Sequence, residues 1–334
     1  RIMIIHLKKE IGNERATKIA EEINAFLIEE ATQFVLISSS GQKEIDSKYD
    51  DIVLDTFVFD NDMQLSSRGY RNETREVTIG NVTIGGNTGN TLLIAGPCSV
   101  ESESQIQESS ALLKELNLTT LRGGCYKPRT SPYSFQGLGL EGLKLLKQMK
   151  HEHGLNIITE VRDATHVQDV IEHSDVIQIG AKAMYDQGIL RACAKTTKPV
   201  LIKRGFGTTL QEFVQCAEFV LSGGNSNVIL CERGLRTFET KTRFTLDLCG
   251  VAYLKEYTNC PIVLDPSHAM GHAYGVPDLT RACIAMGIDG LLIEVHPNPK
   301  VAKSDASQQL DHQQFRDLLK TMNPVAAAVN HKIV

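Results

Sequence analysis

The sequence predicts an α/β protein, a (β/α)8 barrel preceded by a small α+β module. Three observations carry this expectation. From Leu92 onward, eight short apolar runs follow one another, each bounded by Gly, Pro or charge. Stretches with helical periodicity lie between them, and the runs start 20 to 37 residues apart, about the size of one β–loop–α unit. Residues 1–60 have a different texture, and the polar stretch 61–75 separates them from the rest.

In the N-terminal module, Ile2–Leu7 reads as a strand. Glu14–Ala31 carries Ala16, Ile19, Ala20, Ile23, Phe26 and Leu27 at helical spacing, with Asn13 as N-cap. Phe34–Ile37 and Ile52–Phe59 read as two further strands, and no second helix is evident. The main body is expected over residues 76–334. It opens on Glu76–Ile84, which alternates apolar and polar residues around Gly80-Asn81, a hairpin signal. The eight runs are Leu92–Ala95, Thr119–Arg122, Asn156–Glu160, Val176–Ile179, Val200–Lys203, Val228–Cys231, Ile262–Leu264 and Leu291–Val295. They are apolar throughout, as in a parallel sheet covered on both faces. Gln105–Leu116, Glu141–Met149, Leu210–Leu221 and Asp278–Met286 supply helices between them. An open doubly wound sheet is the alternative, but no GxGxxG follows a first strand, and eight units is the number that closes a barrel.

Composition narrows the function. Apolar residues make up 42% of the 334 residues and charged residues 22%, ordinary for a folded soluble protein. The 35 Lys+Arg against 40 Asp+Glu give a net charge of −5, which argues against nucleic acid held by bulk charge. No apolar run approaches the roughly 20 residues of a membrane span. Eight Cys, none in CxxC spacing and with no signal-peptide pattern ahead of them, read as reduced thiols of a cytoplasmic protein.

A barrel of this kind places its site at the C-terminal ends of its strands. Those ends here carry Arg122, Lys127, Arg129, Lys182, Lys203, Arg204, Arg233 and Arg236. A single cation after a strand is ordinarily a solvated loop charge. Eight gathered on one rim of an acidic chain point to a polyanionic substrate, most simply a phosphorylated one. Gly123-Gly124 serve either a tight turn or a close approach of backbone to an anion. A second constellation is Cys98, His268, Glu294 and Asp305. Each alone reads as an ordinary buried or loop residue. Together they offer one sulfur, one imidazole and two carboxylates, a set that accepts Mn²⁺, Fe²⁺, Zn²⁺ or Co²⁺.

The motifs AGPCSVES, LRGGCYKPRTSPYSFQGLG, QIGA, KRG, CERG, RTFE, TLD, DPSH and IEVHPNP, in this order from about residue 76 to 330, resemble the 3-deoxy-D-arabino-heptulosonate 7-phosphate (DAHP) synthases. The resemblance is to the subgroup with a short N-terminal ferredoxin-like module. It implies a transferase that condenses phosphoenolpyruvate (PEP) with erythrose 4-phosphate and water, the first step of the shikimate route to aromatic amino acids. It implies Cys98, His268, Glu294 and Asp305 as ligands of a divalent metal. Arg122, Lys127, Lys203 and Arg233 would hold PEP, with Ala181, Lys182 and Glu160 lining its site, and Arg129 and Thr130 would contact erythrose 4-phosphate. Lys127 and Glu160, with His268 at the metal, are the residues expected to serve the chemistry. Lys127 would protonate or stabilise the nascent alkoxide, and Glu160 or a metal-bound hydroxide would help activate the water. The subgroup also implies homodimers or homotetramers, and a module that binds Tyr or Phe as effector. A structural or oligomer-forming appendage is the equal alternative for residues 1–60.

Several positions depart from the family pattern. Lys182 stands where Arg usually follows QIGA, which keeps the charge and loses the bidentate fork. AMYDQG replaces an Asn-containing stretch, SDASQQL lacks a Gly, Phe244 stands where Asn is common, and AMGHAYGV lacks arginines. Three alternatives therefore stand beside the leading reading. The first is a 3-deoxy-D-manno-octulosonate 8-phosphate synthase or related phosphosugar synthase, against which KPRTS (Lys127–Ser131) argues. The second is a divergent, low-activity regulatory paralogue. The third is a Schiff-base aldolase using Lys203, which would leave the four metal-type residues unexplained.

Overall fold

The computed structural model describes residues 1–39, 41 and 44–334. The N-terminal module comprises β1 (Ile2–Lys8), α1 (Asn13–Glu22), β2 (Ala25–Glu29), β3 (Gln33–Ser38) and β4 (Val53–Phe59). Its sheet is antiparallel in the order β2-β3-β1-β4. This is the order of a ferredoxin-like βαββαβ unit, with a single 3-10 turn at Ser47–Tyr49 standing, among the described residues, where the second helix would be. The helix expected to run to Ala31 ends at Glu22, and its N-cap is Gly12 rather than Asn13. Asn24 takes a left-handed conformation (φ 52°) that reverses the chain. Ala25–Glu29 then pairs with Ser38–Phe34. Sheet pairing of aromatic and branched side chains overrides the helical spacing of Phe26 and Leu27.

The polar stretch 61–75 forms neither helix nor strand yet is held firmly against the barrel. A buried Glu218 carboxylate accepts hydrogen bonds from the backbone N–H groups of Gln64, Leu65 and Ser66, and Asn259 donates to the Leu65 and Ser67 carbonyls.

The hairpin β5 (Val77–Ile79) and β6 (Val82–Ile84) precedes the barrel. In chain order the barrel contains β7 (Asn90–Gly96), α2 (Glu103–Glu115), β8 (Thr120–Arg122), α3 (Leu140–His153), β9 (Asn156–Val161), α4 (Val167–His173), β10 (Val176–Ile179), α5 (Gln187–Ala194), β11 (Val200–Lys203), α6 (Leu210–Ser222), β12 (Val228–Glu232), α7 (Leu248–Tyr257), β13 (Ile262–Leu264), α8 (Pro266–Met270), α9 (Val276–Ala285) and β14 (Gly290–Glu294). α10 (His312–Ala328) and the short β15 (Lys332–Ile333), which adds to β7, complete the chain. The eight parallel strands β7 to β14 follow one another in order, and β14 pairs with β7 to close the barrel. All eight predicted strand runs coincide with these strands.

Both faces of the strands other than β8 are largely apolar because each meets its own core. Leu92, Ile94, Ile158, Val176, Leu201, Ile229, Val263 and Leu292 point inward and pack with Val77, Ile79 and Ile84 of the hairpin. The hairpin thus closes the end of the barrel at which the strands begin, and Asn156 at the start of β9 donates to the Ile79 carbonyl. Leu93, Ala95, Leu121, Ile157, Ile177, Ile202, Leu230, Leu264 and Ile293 point outward into the helix layer. This alternation places every second residue of a strand on the barrel axis.

At the closed end, the Asp289 carboxylate accepts the Ile262 N–H at 2.8 Å. Burial pushes its carboxyl up to about 6, against the pull of that hydrogen bond and of Lys255 and Arg68. A carboxyl whose folded pKa exceeds its unfolded value lends stability at low pH. That contribution is lost as pH rises from about 4 through about 6. Asp289→Asn keeps an acceptor for Ile262 and removes the charge. The thermal midpoint of this variant should fall less than that of the wild type between pH 5 and pH 8. Parallel pH profiles would show that Asp289 does not titrate in this window.

Candidate active site and metal centre

Alternation along the strands decides which residues reach the open end. Continuing the inward series one or two steps past the apolar core gives Arg122 on β8, Glu160 on β9 and then Arg162 just after it, and Gln178 on β10. The same step gives Lys203 on β11, Arg233 after β12, Asp265 after β13 and Glu294 on β14. With Cys98, Lys127, Pro128, Arg129, Ala181, Lys182, Arg243, His268 and Asp305, most of these line one cleft of about 700 Å³. Eight of its lining residues are Lys or Arg, while only Glu160 and Asp305 are acidic.

The cations differ from the expected set in two places. Arg204 has the opposite parity to Lys203. It points outward and is buried against Glu232 and Asp247, both at 2.8 Å, so its role is in the fold. Arg236 stacks on Phe206, 4.6 Å from the ring centroid, and is outside the cleft lining. Arg162 and Arg243 take their places in the cleft. Strand parity identifies Arg162 once Glu160 is placed inward, whereas Arg243 sits in an irregular loop that carries no such signal. Thr130 is exposed and is not among the cleft-lining residues, unlike its neighbour Arg129. Gly123-Gly124 gain a third explanation. A side chain on Gly124 would come within 2.6 Å of the Lys127 ammonium and 2.9 Å of the Cys98 carbonyl oxygen, so the close approach of these two segments leaves no room for one.

At one side of the cleft, Cys98, His268, Glu294 and Asp305 bring one donor atom each to within 4.8 Å of one another. Cys98 Sγ lies 3.4 Å from Asp305 Oδ2, and His268 Nε2 lies 3.6 Å from both Glu294 Oε2 and Asp305 Oδ2. The surroundings orient each group. Asp265 Oδ2 is 2.7 Å from His268 Nδ1, which places the imidazole proton there and turns the Nε2 lone pair to the cluster. Burial also lowers the His268 pKa and favours the neutral ring, despite the opposing pull of Asp265 and Glu294. Asp265 receives Lys203 Nζ at 2.5 Å, and Arg122 Nη1 donates to Glu294 Oε2 at 2.6 Å. Arg243 faces Asp305 at 3.4 Å. Asp305 lies well below the usual carboxylate range. Burial opposes this, but the charges of His268, Arg243 and Lys127 outweigh it. Asp305 is itself in a left-handed conformation (φ 44°), held where no Gly precedes or follows it.

The donor set fits a divalent ion of the transition series: a soft sulfur, a neutral imidazole with its second nitrogen fixed, and two carboxylates. Without an ion, burial and the nearby Glu294 push the Cys98 thiol up to about 11. A coordinated cation reverses that order and holds the sulfur as thiolate. Lys127 Nζ lies 3.3 Å from Cys98 Sγ, at the boundary between the donor cluster and the cationic part of the cleft. Across from it, burial would raise the Glu160 pKa, but Arg162, Lys127, Lys203 and Arg122 together hold it at about 2.

Comparisons with known proteins agree with this arrangement. Residues 65–331 match the DAHP synthetase I family. A phospho-2-dehydro-3-deoxyheptonate aldolase of Thermotoga maritima is 43% identical over 270 residues, covering 81% of this chain and 79% of that protein. A 2-dehydro-3-deoxyphosphooctonate aldolase of Bordetella petrii is 32% identical over 254 residues, 69% of this chain and 88% of the relative. The crystal structure of the Thermotoga maritima DAHP synthase superposes with a TM-score of 0.80 at 38% identity, covering 100% of this chain and 99% of that one. A truncated form of the same enzyme gives 0.75 at 39% identity, covering 81% and 98%. The match to the full-length enzyme includes the N-terminal module, and the barrel carries the motifs. The chain belongs to the DAHP synthetase I family.

Proposed function

We propose that this chain is a metal-dependent DAHP synthase, joining PEP to erythrose 4-phosphate with uptake of water and release of inorganic phosphate. The observation that carries the reading is the cleft itself, in which eight cations adjoin a four-residue metal-type cluster. Two phosphorylated substrates, one with a carboxylate as well, are the kind of cargo that such a charge excess holds. The 43% identical phospho-2-dehydro-3-deoxyheptonate aldolase supports this choice over the octulosonate enzymes at 32%.

In this reading Cys98, His268, Glu294 and Asp305 hold the metal. When bound it acts as a Lewis acid toward the aldehyde oxygen. Arg122, Lys203, Lys182 and Arg233 hold the phosphate and carboxylate of PEP, and Ala181 shapes the wall between them. Arg129, on the exposed rim, faces the phosphate of the aldehyde substrate, with Thr130 beside it on the same loop. Bond formation runs from PEP carbon 3 to the aldehyde carbon. Lys127, beside the donor cluster, delivers a proton to the alkoxide formed there. Positive charge then develops at PEP carbon 2. Glu160 is held ionised by four cations and meets that charge as a fixed counter-ion. A carboxyl held near 2 is a weak base, so its contribution to water attack is electrostatic rather than proton uptake. Water adds to carbon 2 and gives up one proton to solvent. The resulting hemiketal phosphate collapses to the ketone by cleavage of its carbon–oxygen bond, the hydroxyl proton leaving with inorganic phosphate. On the same family reading, the N-terminal module seats Tyr or Phe as effector or joins subunits of a homodimer or homotetramer.

Phosphate release with both substrates tests the reading. Chelation should abolish turnover and Mn²⁺ should restore it. No turnover in the repleted protein would overturn the proposed activity, and turnover indifferent to chelation would overturn the metal. Asp265→Asn removes the group that orients His268 and should weaken Mn²⁺ binding about 10- to 100-fold in a calorimetric titration. Lys182→Arg restores a bidentate fork and should lower the KM for PEP. A rise or no change would show that position 182 does not hold the phosphate.

A further inference from the structure

Arg162 has no role in the fold or in the family reading above, yet it lines the cleft. It continues the inward series of Ile158 and Glu160 one residue past the end of β9, and its side chain lines the cleft rather than the helix layer. Its Nε lies 2.9 Å from Glu160 Oε2 but makes no hydrogen bond, and among the described residues it has no other ion-pair partner. The side chain is only 20% exposed, so its charge is spent inside the cleft and not in solvent. It also leans across the neighbouring strand end. A side chain on Gly180 would lie 1.9 Å from Glu160 Oε1 and an ordinary 3.4 Å from Arg162 Cδ, so the bare backbone there is what admits Glu160. Arg122, Lys203 and Arg243 are each engaged by a buried or half-buried carboxylate of the donor cluster or its support. On the wall that carries Ala181, Arg162 has Glu160 as its one ion-pair partner among the described residues and makes no hydrogen bond to it from Nε, and Lys182 makes no ion pair among those residues.

We propose that Arg162 is a substrate-binding residue that supplies the guanidinium fork for the phosphate of PEP, with Lys182 as the point charge beside it. The proposal rests on the reading of PEP as a substrate. Glu160 holds the guanidinium by charge alone in the free protein, which leaves its hydrogen-bond donors available to an arriving phosphate. A two-pronged grip of this kind is geometrically selective, which an ammonium alone is not. The wall thus takes its fork from β9 and its point charge from the loop after β10.

Arg162→Met and Arg162→Gln test this in the Mn²⁺-repleted protein, by steady-state kinetics and by calorimetric titration with PEP. PEP binding and the KM for PEP should weaken about 10- to 100-fold, while the KM for erythrose 4-phosphate stays within about twofold. Arg162→Lys should fall between these variants and the wild type. Lys182→Arg should recover more PEP affinity in the Arg162→Met background than it adds to the wild type, because the two positions share one ligand. Unchanged PEP affinity would overturn the proposal, and so would a loss confined to kcat, which would mean that Arg162 acts only on Glu160. If the wild type binds PEP with this Arg162 dependence but does not turn over, the proposed activity fails and the Arg162 assignment stands.

Discussion

The pleat of the β-strand, closed into a barrel, is the constraint on which the rest of this structure depends. Most strands spend their inward positions on apolar residues until they near the open end, and there the same inward series turns polar or charged. Ile158 is followed by Glu160, Leu201 by Lys203, Val263 by Asp265 and Leu292 by Glu294. A slip of one residue in any strand would send these charges into the helix layer, where an unpaired ion costs several kcal/mol. Register and site are therefore set by the same packing. The hairpin at the other end seals the core there, so the axis opens on the charged side alone.

Charge compensation then makes the open end tolerable. Glu294 meets Arg122, Asp265 meets Lys203 and His268, and Asp305 meets Arg243. Paired in this way, Asp265 and Asp305 stay ionised despite burial, and the cations are held at fixed positions before any substrate arrives. Fixed charges in a sheltered cleft need little reorganisation when charge shifts during reaction. The excess of Lys and Arg over acids in the lining is what remains for anionic ligands. Asp265 is the group with the widest reach, since it links a cation of the cleft to a ligand of the metal-type cluster.

Much of this was legible in the chain. The eight strands were visible because apolar runs between Gly, Pro and charge persist whatever the tertiary details. The four metal-type residues were visible because they lie at or beyond the ends of strands that must end on the same face. Other features were hidden for identifiable reasons. Phe26 and Leu27 fit a helix by spacing, and only the partner strand at Phe34–Ser38 decides otherwise. Residues 61–75 look like a loose connector because their anchors, Glu218 and Asn259, lie more than 150 residues away. Arg204 looked like a member of the rim because it adjoins Lys203, although adjacent residues on a strand face opposite ways.

The sequence by itself determined the strand count, the inward alternation and the inventory of cations and donors, because these follow from local periodicity and composition. Only the tertiary structure decided which charges meet. It paired Arg204 with Glu232 and Asp247 outside the cleft, brought Arg243 to Asp305, and set Arg162 beside Glu160 and Gly180. The physical reason is that an ion pair between distant segments leaves no local pattern. Its partners are chosen by barrel closure, which brings the ends of eight strands together at one opening.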